Sequence, residues 1–499
     1  MSSSEKKDNA PERARSMEVT DVIELEENRN GQFHRSFTPR QVHVISLGSN
    51  IGSGLFIATG KALANGGPGS MVTAYGIVCS AVWMVLQTLS EMTIAFPVSG
   101  NFVDYADRWV DPALAFGAGF AEWLGWTAVI GAEATFFDVL LQLWTGGDFP
   151  AAASLTIFLV ACLAIFLLPN KWFAWFEYVT SLIKILMFLL IIAGFANSAL
   201  LALWAVSDQV FIGIIGGEAQ NPRYSMAHAA KLVPFRVNII YMVSIVFITV
   251  LIPSDDDRLL GGSGIAASPF VIAITDAGIK GLPDLLNTGM ICGLLAIASE
   301  SVYVASRILR TMSHQKLIPE AFAKVDDQGR PRLSLIITCV VGTFLTYINL
   351  SNGGKVGFTW LLSITSASFF SVWFIIALTN YRFRQAVEAQ NDHLFSEEYA
   401  WTSSWWPAAP LWTATVAMLL FVCCIYAAVD PVDGSGFTAY NFFQYLIGLI
   451  IIVVFTIVFK LVKRSPWRDP QSVDLITGRR RLTVEDMAQL DHYYSLSAA

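Results

Sequence analysis

The sequence predicts an all-α polytopic membrane protein with about twelve transmembrane helices, and three observations support that fold class. First, 54% of the 499 residues are hydrophobic and only 14% are charged, whereas soluble domains carry roughly 25% charged residues. Second, the apolar residues form runs long enough to cross a bilayer core about 30 Å thick, which needs about 20 helical residues. Third, the basic residues lie almost entirely on one side of these runs.

Twelve apolar runs are visible, and they are called spans 1 to 12 below. Residues 172–217 form one long apolar stretch, which we divide near Gly194 because an undivided helix would reverse the side of every later loop. The ranges are 41–63, 71–97, 116–144, 151–169, 172–193, 195–217, 235–253, 285–307, 333–350, 357–379, 411–429 and 440–462.

The distribution of basic residues predicts the orientation of the chain. With the N-terminus on the cytosolic side, 27 of the 32 Lys and Arg residues lie in cytosolic segments, four lie outside and Lys184 lies within span 5. Cytosolic loops of membrane proteins carry such an excess of Lys and Arg. We therefore expect a disordered cytosolic tail at 1–40, a membrane core at 41–463 and a cytosolic C-terminal tail at 464–499.

The pattern of reactive residues excludes several classes of protein. The six cysteines lie in apolar stretches without CxxC spacing, so we predict neither a metal site nor disulfides. Outside the spans the sequence contains no nucleophile–base pairing and no phosphate-binding loop. We therefore predict that the protein is not an enzyme, that it has no nucleic-acid partner and that its partner is the lipid bilayer. No residue pattern specifies an oligomeric state.

Two spans are interrupted by glycines at corresponding places. Span 1 contains SLGSNIGSGLF at 46–56, and span 6 runs into SDQVFIGIIGGEAQNPR at 207–223. Each glycine costs a helix about 1 kcal/mol relative to alanine. Matching interruptions in two halves of a membrane protein are the best sequence indication of a secondary transporter built from inverted repeats.

An interrupted membrane helix frees backbone groups that need partners. The N–H groups at the start of the second half-helix favour an anion, and the carbonyl groups at the end of the first favour a cation. An amino acid zwitterion supplies one of each. The alternative interpretation is helix packing, because Gly48 and Gly52 form a GxxxG pair, which is a common close-contact motif.

Three motifs carry a family resemblance. NIGSGLF in span 1, GEAQNPR at the end of span 6, and SVYVASRILRTM followed by LIPEAF after span 8 resemble the fungal and bacterial amino acid permeases of the amino acid–polyamine–organocation superfamily. The resemblance extends over roughly residues 38 to 465. It implies the five-plus-five inverted-repeat fold of broken helices, with two extra helices, and secondary transport of amino acids.

The resemblance also implies substrate-binding positions. Gly52, Ser53 and Gly54 stand where the small residues of span 1 bind the substrate carboxylate, and the carbonyl of Asn50 would face the amino group. Alignment on the Asn-Pro motif places Trp204 where an aromatic gate closes over the substrate.

Further positions follow from the same alignment. Ser207 falls where a backbone carbonyl meets the ammonium group, and Asp208 follows it. Glu133 in span 3 matches an acidic position that lines the substrate path in yeast-type permeases. The chain departs from its relatives in span 6, where the acid is displaced by two residues. It also has almost no loop between spans 5 and 6.

Charged residues inside spans are functional candidates by default, because burying them in a membrane is costly. In some relatives a lysine in span 5 occupies the place of a sodium ion found elsewhere in the superfamily, next to spans 1 and 8, and the resemblance implies this place for Lys184. There it would load and release a proton. Glu300 replaces the asparagine that relatives often carry in span 8. It would pair with Lys184 or join the proton path.

The sequence therefore predicts proton-coupled symport of amino acids into the cytosol by alternating access, with the proton as coupling ion and no other cofactor. An exchanger or facilitator without proton coupling is one alternative. A sensor that does not transport is another, although its usual long cytosolic tail is missing here. We expect the plasma membrane as the location, with the vacuole as the alternative.

Overall fold

The structure, a computed structural model, describes residues 38–49, 51–98, 100–168, 170–190, 222–259, 268–276, 278, 280–348, 350, 354–397, 400–429, 436–479, 487 and 491. Within these residues the regular structure is helical. The α-helices are α1 Pro39–Gly48, α2 Thr59–Ala95, α3 Asn101–Trp109, α4 Pro112–Thr145, α5 Ala151–Ile165, α6 Asn170–Leu190, α7 Pro222–Leu251, α8 Pro269–Asp276, α9 Leu282–His314, α10 Arg332–Ile348, α11 Gly354–Ala389, α12 Ala408–Val429 and α13 Ala439–Lys463. A π-helical turn at Gly54–Ala58 precedes α2, and short 3-10 turns lie at Glu320–Ala323 and Leu394–Ser396.

Eleven of the twelve predicted spans coincide with described helices. Span 1 corresponds to α1, the π-helical turn and the start of α2, and spans 2 to 5 correspond to the rest of α2, α4, α5 and α6. Spans 7 to 12 correspond to α7 and to α9 through α13. Span 6 lies outside the described residues. Seven of the described helices are long and apolar enough to cross a membrane, and the predicted helical, polytopic fold class is confirmed.

Spans 1 and 2 join at a sharp kink instead of a loop. Helical assignment continues through residues 59–95, but Gly67 has a φ of 68° and a ψ of 173°, which is a backbone conformation that glycine adopts at little cost. The next residue, Pro68, has no N–H group to donate to the helix. The chain therefore turns at this point, and helical structure continues on both sides of the kink.

Helix α4 forms the centre of the bundle, where it packs against α9, α10, α11 and α13. Glycines permit this close approach. A methyl group on Gly117 would lie 2.6 Å from the Ile452 carbonyl oxygen of α13, and one on Gly119 would lie 3.0 Å from the sulfur of Met312 on α9. Small residues at helix interfaces are the usual way in which membrane helices approach closely.

A buried ion pair joins the end of α2 to α11. The Glu91 carboxylate is 1% exposed and accepts hydrogen bonds from both Nε and Nη2 of Arg384. Asn380 donates to the same carboxylate at 2.9 Å, and the backbone N–H of Ser403 donates at 3.1 Å. All the partners come from α11 or from the segment that follows it, so this carboxylate fixes the end of α2 to that segment.

The segment that follows α13 lies across the same face of the bundle. The backbone N–H of Arg468 donates to the Val110 carbonyl at 2.9 Å, and its guanidinium pairs with Asp107 at 3.2 Å. Arg479 pairs with Asp392 at 2.8 Å and with Glu397 at 2.6 Å. The described beginning of the predicted tail, residues 464–479, is thus held against the helical core.

Replacing Glu91 by alanine is expected to lower the free energy of unfolding by about 3–5 kcal/mol, because it leaves the Arg384 charge without its carboxylate. The measurement is unfolding of the purified protein in detergent. The Glu91→Ala/Arg384→Ala double variant should lose less than the sum of the single variants. Glu388→Ala, on the exposed face of α11, is the control and should change stability by less than about 0.5 kcal/mol. Additive losses would contradict the assignment.

Candidate functional site

Span 1 is interrupted where the sequence predicts it. Helix α1 ends at Gly48, and the π-helical turn begins at Gly54. The Ile51 N–H donates to the Gly48 carbonyl at 3.0 Å, and the N–H groups of Leu55 and Phe56 donate to the Gly52 carbonyl. The second half-helix therefore starts next to Gly52. The first N–H groups of a helix have no carbonyl partner within it, so the start of this half-helix offers donors to a ligand.

Both glycines of the GxxxG pair also pack against neighbouring helices. A methyl group on Gly48 would lie 2.6 Å from the Cα of Ser181 on α6, and one on Gly52 would overlap the Cδ1 atom of Ile297 on α9. The packing interpretation of this pair therefore holds alongside the interruption. Close packing brings the broken part of span 1 against spans 5 and 8.

A hydrogen bond connects the interruption to span 3. The Ser53 hydroxyl donates to Oε1 of Glu133, although the two residues are 80 positions apart. Both side chains are 1% exposed. The structure thus brings together two of the predicted substrate-binding residues in a buried environment, with Gly54 beside them at the first position of the π-helical turn.

Four predicted substrate-binding residues lie outside the described residues. They are Asn50 in span 1 and Trp204, Ser207 and Asp208 in span 6. Their roles remain predictions.

Lys184 occupies the junction of spans 1, 5 and 8, the location that the family resemblance implies. Its side chain is fully buried, and its Cε lies 3.6 Å from the position that a methyl group on Gly293 of α9 would take. Ser181, one turn earlier on the same helix, is the residue that packs against Gly48 of α1. Within the described residues the Lys184 ammonium has no hydrogen-bond partner.

Glu300 on α9 and Lys184 on α6 lie at different levels along the membrane normal. Phe173 stacks on Tyr303 with ring centroids 4.6 Å apart, while Lys184 lies opposite Gly293, so α6 and α9 run antiparallel. This register places Glu300 about 10 Å from the level of Lys184, toward the predicted cytosolic side. Both predicted roles of Glu300, pairing with Lys184 and a place in the proton path, remain predictions.

Glu177 is a candidate residue that the sequence analysis did not identify. Its carboxylate is fully buried on α6, at the level of Glu300, whereas its position near the start of span 5 suggests a residue close to the membrane surface. The spacing from Lys184 does contain a signal. Residues 177, 181 and 184 recur at the four- and three-residue intervals of one helix face.

The other acidic residues of span 3 have neutral partners. Trp126 donates its indole N–H to Glu122 at 3.0 Å. Asp138 accepts from the hydroxyl of Ser154 on α5 and from Gln142 at 3.1 Å. Asp138 therefore links α4 to α5, which is a structural role.

The side predicted to be external is covered by α8. The hydroxyl of Ser268 donates to the Phe56 carbonyl, and the Phe56 and Phe270 rings pack edge to face at 5.9 Å. Arg258 bridges Asp276 at the end of α8 to Asp256, and its hydrogen bonds lower the pKa of both carboxyl groups. The second half of span 1 is thus closed on this side by a braced helix.

The Gly48→Ala substitution is expected to destabilise the protein by about 1–3 kcal/mol, because the added methyl group meets the Ser181 backbone in a packed interface. Gly76→Ala is the matched control, since a methyl group there meets no atom within 4 Å. Thermal unfolding of the purified protein can be followed with a thiol-reactive dye that detects exposure of the buried Cys79 and Cys162. Equal unfolding temperatures for the two variants would contradict the close contact.

Comparison with known proteins agrees with this arrangement. The family model "Amino acid permease" matches residues 41–210 and 202–469. "Amino acid transporter 1" of Schizosaccharomyces pombe is 30% identical, covering 93% of this chain and 86% of the relative. "Amino-acid permease GAP3" of Candida albicans is 29% identical, covering 92% and 82%. A solved manganese transporter of Eremococcus coleocola shares the fold, with a TM-score of 0.51 at 12% identity over 85% of this chain and 95% of that one.

These matches confirm the family resemblance and the prediction that the protein is not an enzyme, since the relatives are named permeases and transporters. The matches also support the prediction that the chain is an integral membrane protein. Because the family model covers nearly the whole helical core and the relatives align over nine-tenths of the chain, the chain belongs to the amino acid permease family.

Proposed function

We propose that this amino acid transporter carries its substrate into the cytosol together with a proton, by alternating access. The observation that carries the proposal is the buried Lys184, which lies between spans 1, 5 and 8. A charged group within a membrane span is costly and is usually functional. A lysine at this junction holds a positive charge beside the substrate site when protonated and removes it when it loses the proton, without a metal or an organic cofactor.

The substrate would bind at the interruption of span 1. Its carboxylate would accept hydrogen bonds from the N–H groups of Gly52, Ser53 and Gly54, which lie at the positive end of the second half-helix. Its ammonium group would face the Glu133 carboxylate and the carbonyls of Asn50 and Ser207. The hydrogen bond between Ser53 and Glu133 supports this assignment. It holds the residue whose N–H would bind the substrate carboxylate next to the carboxylate that would face the substrate ammonium.

Alternating access would move spans 1, 2, 6 and 7 against spans 3, 4, 8 and 9. The Ser53–Glu133 hydrogen bond crosses the boundary between these two groups. Lys184 borders the same boundary, since its helix packs on α1 and on α9. A displacement of span 1 would therefore change the surroundings of the substrate and of the proton site together, which is what coupling requires.

Location and orientation are part of the proposal. The excess of basic residues in the predicted cytosolic loops supports cytosolic termini, with residues 1–40 and 464–499 as tails on either side of the core at 41–463. We propose the plasma membrane as the site of action, where uptake from outside would use the proton gradient.

Glu133→Gln and Ser53→Ala are expected to raise the substrate KM about 10- to 100-fold. Glu133→Gln removes the negative charge that would face the substrate ammonium, and Ser53→Ala removes the hydroxyl that donates to this carboxylate; a hydrogen bond to a charged group is worth about 1.5–3 kcal/mol. Uptake kinetics of a labelled substrate, corrected for the amount of protein at the surface, measure the effect. Thr415→Ala on the exposed face of α12 removes a hydroxyl that bonds only to its own helix, and it should leave the KM unchanged. An unchanged KM in both site variants would exclude this binding site.

The proton coupling is tested by uptake of a panel of labelled amino acids at acidic and neutral external pH, with and without an uncoupler. Uptake that rises in acid and is lost with the uncoupler is expected, and the panel identifies the substrate. Lys184→Met should abolish accumulation against a gradient while retaining exchange of substrate across the membrane. Accumulation that is insensitive to pH and to the uncoupler would instead favour an exchanger or facilitator, and absence of any uptake by surface-exposed protein would favour a sensor.

A further inference from the structure

Basic residues are concentrated around the end of α13. Lys460 and Lys463 lie in its last turn, and Arg464 caps the helix. Trp467 and Arg468 follow shortly after. The helix that leads to them presents an exposed apolar face, formed by Val453, Val454, Ile457, Val458, Leu461 and Val462. The basic residues therefore begin where a surface suited to contact with lipid chains ends.

The half-exposed ring of Trp467 brings a residue of α11 into the same group. The Lys460 ammonium lies 5.7 Å from the centroid of this ring, and the Arg382 guanidinium of α11 lies 5.8 Å from it. Cations at such distances are attracted by the face of an indole ring. Arg382 also donates to the carbonyl of Arg468. The basic cluster, as it is called below, consists of Arg382, Lys460, Lys463, Arg464 and Arg468.

Carboxylates of the segment between α3 and α4 neutralise part of this charge. Asp111 pairs with Lys460, and Asp107 of α3 pairs with Arg468 at 3.2 Å. Asp111 also accepts a hydrogen bond from Ser465 at 2.9 Å. These contacts hold the chain on both sides of residues 463 and 464, so the position of those two residues at the end of α13 is fixed.

The two residues in between keep their charges available. Lys463 and Arg464 are exposed, and within the part of the chain that the structure describes neither side chain forms an ion pair. The next acidic residue along the chain, Asp469, accepts a hydrogen bond from the backbone N–H of Gln471 at 3.1 Å. Two adjacent positive charges thus lie at the edge of the apolar face of α13.

The backbone of Arg464 is strained. Its φ of 50° and ψ of 39° are left-handed, a conformation that glycine usually supplies at the end of a helix and that other residues adopt at a cost. Its N–H donates to the Lys460 carbonyl at 2.9 Å, which a glycine would do equally well. A cation also favours a helix C-terminus, but Lys460 and Lys463 already supply that charge. The guanidinium is therefore better explained by a ligand than by the turn.

We infer that the basic cluster binds the headgroup of an anionic phospholipid whose acyl chains lie along the exposed face of α13. Clusters of Lys and Arg directly beside a membrane helix attract anionic lipids, and Trp rings favour the level of the headgroups. Lys463 and Arg464 bind the phosphate, to which a guanidinium can donate two parallel hydrogen bonds. The proposed orientation places this site in the cytosolic leaflet, which carries a negative surface potential.

The test is binding of phosphatidylserine to the purified full-length protein in detergent, with phosphatidylcholine as the reference lipid without net charge. A ligand that binds only the folded protein raises its unfolding temperature, so a lipid titration gives the affinity. Phosphatidylserine should stabilise the protein at lower concentration than phosphatidylcholine. Lys463→Gln should weaken phosphatidylserine binding about fivefold, and Lys463→Gln/Arg464→Gln about 25-fold, as expected for the loss of one and two charges near a membrane surface.

Two substitutions of Arg464 separate a lipid site from a structural role. Arg464→Gly removes the charge and relieves the left-handed backbone, so stability without lipid should be unchanged or higher, while phosphatidylserine affinity falls about fivefold. Arg464→Lys keeps the charge and should keep most of the affinity. Lower stability of Arg464→Gly before lipid is added would assign Arg464 to the fold and contradict the inference.

Lys324→Gln is the matched control, because Lys324 is exposed in the segment between α9 and α10, outside the basic cluster. Its phosphatidylserine affinity should not change. Equal losses in Lys324→Gln and Lys463→Gln would indicate attraction to the whole charged surface and would overturn the site, as would equal stabilisation by the two lipids.

A soluble headgroup distinguishes a lipid site from a site for free phosphate compounds. Glycerophosphoserine lacks the acyl chains that lie along α13, so at equal concentration it should not displace phosphatidylserine. Displacement would refute the assignment to a lipid. None of these measurements involves uptake, so their outcome is independent of whether transport is coupled to protons.

Discussion

A helix that is interrupted inside a membrane must find new partners for its backbone groups, and much of this structure is arranged around that requirement. Span 1 breaks between Gly48 and Gly54, where lipid offers no hydrogen bonds. Helices α6 and α9 close on the break because Gly48 and Gly52 present no side chains to them. Helix α8 reaches the second half through the Ser268 hydroxyl. The break is thereby enclosed by protein on several sides and can remain open to a small ligand.

Several buried charged residues lie on the helices that surround this break. Glu133 on α4 bonds to Ser53, while Glu177 and Lys184 on α6 and Glu300 on α9 lie at the interface behind it. Two different interfaces of span 1 therefore carry charge, one toward span 3 and one toward spans 5 and 8. A rigid movement of span 1 changes both at once, which gives a physical route from proton binding to substrate binding without a further mobile element.

Much of the fold and part of the site were predictable from the sequence. The spans follow from apolar length, and the interruption at 46–56 follows from glycines that a helix tolerates poorly. The partner of Ser53 was not predictable as a contact, because Glu133 lies 80 residues away and only the packing of span 1 on span 3 brings them together. Glu177 was overlooked because its burial depends on α1, α5 and α9, not on its own segment. The separation of Glu300 from Lys184 likewise depends on the antiparallel register of two helices.

The sequence by itself determined that this is a polytopic helical membrane protein with a broken first span. The length of the apolar runs, the positions of the glycines and the distribution of basic residues between loops are local properties, and membrane insertion depends on them directly. Only the tertiary structure decided which buried charges face each other. Glu91 of α2 pairs with Arg384 of α11, Ser53 meets Glu133 across spans 1 and 3, and the antiparallel register of α6 and α9 brings Glu177 and Glu300 to the same level. Such partners depend on the rotation and depth of each helix against its neighbours, which side-chain packing fixes and hydrophobicity alone does not.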